Sequence, residues 1–198
     1  GISFSGSVEI QTEQLQAFGT LIAEKDAVEP AEDVTQQIRF AAKATIAGRD
    51  VTHTAGGLKS LKLGEAPKVI VRVLSAEQRA AGSTEHTPEL TVWAGETLRA
   101  FIQVERSNHD GLVEFGKEDA GRNMPHGVFV DNIGLNGLML LSGQTEREFF
   151  ITTADWVPET SRLFHLKSSI DGITSLPVML HVRHRNLAAI QPARLEEN

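Results

Sequence analysis

The chain has 198 residues, with 26 acidic and 19 basic side chains and a net charge of −7. That length accommodates one large domain or two sandwich-sized ones whose core needs no metal or disulfide, and the acidic balance offers no basic footprint for nucleic acid or an anionic membrane. Cysteine is absent, which excludes disulfides, thiolate metal sites and cysteine nucleophiles; no run approaches the ~18 apolar residues of a membrane span, and the first residues lack a signal peptide's basic and apolar regions, so an export signal would precede Gly1.

An internal repeat organises the chain. Residues 21–48 and 150–172 share Ile22 with Ile151, Asp26-Ala27-Val28 with Asp155-Trp156-Val157, Pro30 with Pro158, Ile38-Arg39-Phe40 with Leu163-Phe164-His165, and Ile46-Ala47-Gly48 with Ile170-Asp171-Gly172, with a gap after the proline. Both copies run strand, acidic turn with a proline, strand, tight glycine turn, strand. The second copy closes a unit whose earlier strands begin at Val69, whereas only residues 1–20 precede the first. Residues 1–63 are therefore expected to be the closing strands of a preceding, partial repeat, or a smaller partial sandwich completed by another segment. Residues 64–68, punctuated by Gly64 and Pro67, read as a linker.

From Val69 onward short strands follow one another. Residues 69–74 and 90–93 are apolar runs; between them the polar, Ala/Gly-rich segment 75–88 has room for a short helical turn but is expected to form a loop between two parts of one opening strand. Residues 96–106 alternate Leu98, Ala100, Ile102 and Val104 against Thr97, Arg99, Gln103 and Glu105, the period-two pattern of a half-buried strand. Residues 146–153, 162–170 and 177–183 repeat that pattern, and the shorter runs 112–115, 127–130 and 138–141 fill the gaps. Turns are expected at Ala94-Gly95-Glu96 and Asp171-Gly172, where glycine accepts positive φ. Phe149 and Phe150 are adjacent in one strand, so one of them faces outward. Strands at this spacing without an amphipathic helix between them predict an all-β, antiparallel sandwich of immunoglobulin type over 69–184, followed by a polar tail or linker at 185–198.

Ala94-Gly95-Glu96-Thr97 before the long strand, Met124-Pro125-His126-Gly127-Val128, Ser142-Gly143-Gln144-Thr145-Glu146, and Trp156-Val157-Pro158 before the segment Phe164 to Ser169 together resemble the immunoglobulin-like modules of exported bacterial proteins, similar to the NPCBM-associated domains that accompany glycosidases. The resemblance implies a secreted or cell-surface setting as one domain of a larger, repeat-containing protein. It also implies a non-catalytic spacer or interaction role toward flanking domains of the same parent or toward another protein. No catalytic residues carry over from it.

The residues themselves point the same way. There is no Gly-x-Ser-x-Gly nucleophile elbow and no phosphate-cradling glycine loop, so no enzyme is expected. Of seven histidines, His181 and His184 lie three apart in a strand and point to opposite faces; His165 and His181 could meet across the final hairpin, either as a two-histidine metal site or as ordinary cross-strand packing. Calcium takes oxygen ligands from loops, and Glu118, Asp119, Asp131 and Asn132 are its candidates, beside the alternative of ordinary Asx turns. A glycan face needs exposed aromatic platforms; Trp93 and Trp156, at strand ends, are the candidate binding residues, or else edge plugs. Apart from calcium no cofactor is expected, and the alternative function is a ligand-binding module, for glycan or calcium, built on the 116–137 loops.

Overall fold

A computed structural model describes residues 1–5, 8–12, 14–82, 88–116, 119–131 and 137–185; of Asp119 and Asp131 it describes the backbone path. The chain divides into two compact units, one of Gly1–Phe4 with Leu21–Ala66, the other of Ser5–Thr20 with the described residues from Pro67 on. The change of unit at residue 66 falls within the 64–68 segment. Residues 5–20, by contrast, group with the larger unit although they lie inside the 1–63 block.

In the smaller unit, β1 (Ile2–Phe4) pairs antiparallel with β2 (Leu21–Ala23). A short helix α1 (Glu32–Gln37) follows, acidic in its first turn and with the Thr35 hydroxyl donating to the Glu32 carbonyl at 2.9 Å. β3 (Phe40–Ile46) and β4 (Arg49–Ala55) then form a two-stranded hairpin. Its two-residue turn places Ala47 at φ 49° and Gly48 at φ 75°, the left-handed pair that matches the right-handed twist of a hairpin.

The larger unit begins with β5 (Val69–Leu74). Residues 76–81, expected as loop, form a helix, α2 (Ala76–Ala81). Ser75 caps it, accepting from the Gln78 amide while the Gln78 side chain accepts from the Ser75 amide, and Gly82 ends it in the left-handed conformation. That capping box satisfies backbone donors at the helix N-terminus, and the Gly82 amide serves the carbonyls at its C-terminus. β6 (Glu89–Trp93), β7 (Thr97–Arg106), β8 (Val113–Phe115), β9 (Val128–Asp131), β10 (Leu138–Leu140), β11 (Glu146–Thr153), β12 (Thr160–Phe164) and β13 (Val178–Arg183) complete the unit. Strand β12 is shorter than the 162–170 reading, because beyond Phe164 the chain pairs only through isolated bridges, Arg122 with His165 and Lys167 with Thr174 around the Asp171-Gly172 turn.

One sheet runs β5-β7-β11-β9, a second β12-β13-β6, and β8 pairs with β10. The opening strand is split, β5 joining the first sheet and β6 the second. The first sheet has the A-B-E-D order of an immunoglobulin-type sandwich and the second pairs its last two strands, while β8 pairs with β10 instead of joining them. Among the described residues its strand pairings are antiparallel with one exception: β6 lies parallel to β13, in register from Glu89–Met179 to Trp93–Arg183. The core fills from all three sheets: Val71, Ile102, Phe149 and Ile151 from the first, Leu90, Phe164 and Leu180 from the second, and Val113, Phe115 and Leu140 from the β8–β10 pair. Ala100, Ile102 and Val104 point inward as their alternation predicts, and of the adjacent pair Phe149 is wholly buried while Phe150 faces out. Each buried phenylalanine contributes roughly 1.5–3 kcal/mol.

Candidate functional site

The described residues between Ser5 and Thr20 form a strap on the larger unit, and the loops following β8 hold it. Asn123, left-handed at φ 71°, accepts from the Phe18 amide at 2.8 Å and donates to the Phe18 carbonyl at 2.6 Å. Its carboxamide so takes the place of a partner strand. Arg122 places its guanidinium 4.3 Å from the Phe18 ring centroid, a cation–π contact. Arg162, buried and on the inward side of β12, donates to the Glu9 carbonyl, and burial lowers its pKa from the usual value against the opposing pull of the Glu9 carboxylate. Ser5 and Thr20 close the strap's base, the Ser5 amide donating to the Thr20 carbonyl and the Thr20 amide to the Ser5 hydroxyl, both at 2.9 Å.

Two open grooves follow from this docking. One, of about 460 Å³, lies between Leu15, Gln16 and Phe18 of the strap and Arg122 to Met124. The other, of about 280 Å³, is lined by Glu9, Gln11 and Thr12 from the strap and by Pro125, His126, Trp156 and Pro158. Trp156, in the turn between β11 and β12, is 58% exposed and lies 5.3 Å from the His126 ring. Gly127, at φ 83°, is the reason the indole can lie there: a Cβ at this position would come within 2.5 Å of it. This groove pairs an aromatic platform with carboxylate, amide and hydroxyl groups, the combination that receives a polar ring with an apolar face.

Trp93 is placed differently. It ends β6 half-buried, with the Arg185 guanidinium 5.1 Å from its centroid, and Arg185 is held in turn by both oxygens of Glu96 at 2.5 and 3.0 Å. The two tryptophans are thus engaged separately, one capped by an arginine and one open. Of the calcium candidates, Glu118 and Asn132 lie outside the described residues; Asp119 opens a short 3-10 turn (Asp119–Gly121) and Asp131 ends β9. Among the described residues no three histidine, aspartate or glutamate side chains gather closely enough to hold a metal ion.

The histidines follow the strand register. His181 stands opposite Ser161 and takes up its hydroxyl at 2.8 Å, whereas His165 lies beyond Phe164 and bridges to Arg122; the two are at different levels of the hairpin and do not meet. His184 donates from Nε2 to the Val157 carbonyl at 2.8 Å. The buried hydroxyls of Ser168 and Ser175 serve the backbone, accepting from the amides of Ile170 and Leu166 at 3.0 Å each. The strap contacts were missed in the sequence because nothing local to Asn123 or Phe18 marks a pairing across 105 positions.

Fold and surface together define an all-β, immunoglobulin-like sandwich module with a strapped groove at the Trp156 turn. No protein-family model and no curated protein matches the chain. Among the described residues no helix is long and apolar enough to cross a membrane.

Proposed function

We propose that the chain is a non-catalytic interaction module of a larger exported bacterial protein, in which the sandwich is a self-supporting frame and the smaller unit engages a flanking domain or another protein. The observation that carries this reading is the contrast between the two interiors. The larger unit buries a continuous apolar core. In the smaller unit no apolar side chain among the described residues is buried, while Phe4, Leu21, Val28, Val34, Phe40, Ile46 and Val51 are exposed. Phe4 meets Phe40 edge-on at 6.2 Å between ring centroids, but both rings stay exposed, and a two-stranded ribbon with so little cover is marginal in water, so these side chains call for a partner surface. The exported setting rests on the resemblance at residues 94–97, 124–128, 142–146 and 156–169.

Hydrogen exchange on the dilute chain tests this reading. Amides of β3 and β4 are expected to exchange orders of magnitude faster than those of β7 and β11, as befits a low-stability element. Protection of the hairpin equal to that of the sandwich in the dilute chain would sink the reading, since the smaller unit would then need no partner.

The Trp156 groove favours a second reading, a glycan-binding module. In a Trp93→Phe background the remaining tryptophan emission should shift on titration with a binding oligosaccharide, and Trp156→Ala should abolish retention in affinity electrophoresis. Retention unchanged by Trp156→Ala would remove the groove from consideration. Calcium at the 116–137 loops would raise the melting temperature at millimolar concentration, because a ligand of the native state stabilises it; an unchanged melting temperature ends that alternative.

A further inference from the structure

The β3–β4 hairpin is two-faced. Its register puts Phe40 with Ala55, Ala42 with His53, Ala44 with Val51, and Ile46 with Arg49 on one face, and Ala41 with Thr54, Lys43 with Thr52, and Thr45 with Asp50 on the other. The second face is polar, with the Thr45 hydroxyl donating to Asp50 at 2.7 Å. The first is mainly apolar and largely open to solvent, with Phe40 40%, Val51 44% and Ile46 60% exposed and Phe4 of β1 touching only the edge of the Phe40 ring, centroids 6.2 Å apart. Every side chain of both strands is exposed.

The apolar face has an internal order of sizes. In three successive rows one strand carries a bulky residue and the other an alanine: Phe40 beside Ala55, His53 beside Ala42, Val51 beside Ala44. A two-fold axis parallel to the strands, laid over this face, keeps each row level with itself and exchanges the strands. Phe40 then stands over Ala55 of the second copy, His53 over Ala42, and Val51 over Ala44, so every bulky side chain meets the gap left by an alanine. Only the last row sets two long side chains, Ile46 and Arg49, against each other, and it lies beside the turn where both can splay outward. A surface complementary to itself under a two-fold is the condition for an isologous interface.

On the interaction reading above, we propose that the partner of this face is a second copy of the chain, the two hairpins stacking face to face with their turns at the same end. Seven-residue strands make a ribbon about 23 Å long and about 10 Å wide, well short of the ~800 Å² per partner of a standard interface. The pairing is therefore weak in free solution and strengthens when copies are held close together.

Sedimentation velocity over three decades of concentration tests this on the full chain, alongside hydrogen exchange at both extremes. The wild type is expected to pass from monomer to dimer, with the β3–β4 amides gaining protection in the dimer. Ala44→Lys on the apolar face should abolish association, and Thr52→Lys on the polar face should leave it intact. The decisive pair exploits the size order: Ala44→Val sets valine on valine and should raise the dissociation constant about tenfold, while Ala44→Val with Val51→Ala exchanges knob and gap and should restore it. Association strengthened by Ala44→Val alone, or unaffected by Ala44→Lys, would overturn the proposal. A monomer at every concentration with unprotected hairpin amides overturns the second copy as partner and leaves the interaction reading standing; a monomer with a fully protected hairpin overturns both.

Discussion

Glu96 and Arg185 show how a single residue pair sets the state of one of the two tryptophans. The hydrogen bonds from Arg185 hold the Glu96 carboxyl below the usual carboxylate range, against a smaller opposing effect of burial, and the same guanidinium covers Trp93. A carboxyl whose folded pKa is depressed contributes stability above its unfolded value, ~4.3 for glutamate, and loses it as pH falls through the folded value. Both side chains are exposed, so the effect on overall stability is small and the readout is local. In a Trp156→Phe background, Trp93 emission should hold steady from neutral pH down to that range and change only below it, and Glu96→Gln should remove the acidic transition. A transition centred at or above the ordinary glutamate value would show that Arg185 does not grip Glu96 in solution. At this scale Gly127 was legible as part of a motif, but its reason was not: the indole that occupies the space of its missing side chain belongs to a residue far along the chain.

At the scale of elements, the strap depends on Asn123 more than on its own composition. Asn123→Gly keeps the left-handed backbone and deletes both hydrogen bonds to Phe18, each worth about 0.5–1.5 kcal/mol net. The variant should lose about 1–3 kcal/mol of stability, and the Phe18 amide should lose its exchange protection while β7 and β11 keep theirs. An equally protected Phe18 amide in the variant would mean that the Arg122 and Arg162 contacts suffice. The strands β7, β11 and β13 were legible almost to the residue because each buries one face, and burial of one face writes alternation into the sequence; β5 was legible as a short apolar run. Helix α2 was legible only through Ser75 and Gln78, a capping box without an apolar stripe, and a polar six-residue segment otherwise reads as loop. The strap left no periodic trace, since side-chain amides and arginines rather than a ladder fix it.

For the molecule as a whole, the two units differ in what a core substitution does. Phe149→Ala removes a fully buried ring and should cost about 3–5 kcal/mol in the main unfolding transition. Phe40→Ala, on an exposed hairpin, should shift that transition by less than about 0.5 kcal/mol; calorimetry on the two variants checks both, and a large effect of Phe40→Ala would mean that the hairpin and sandwich unfold as one. The parallel pairing of β6 with β13 was not legible, because alternation reports which face of a strand is buried and not the direction of its neighbour. It also gives the sandwich a mechanical property. Tension applied between residues 67 and 185 first loads β5 against β7; once β5 has given way it draws β6 and β13 past each other lengthwise, so the bonds along Glu89–Trp93 and Val178–Arg183 carry the load together in shear rather than opening one at a time as in a peeled hairpin.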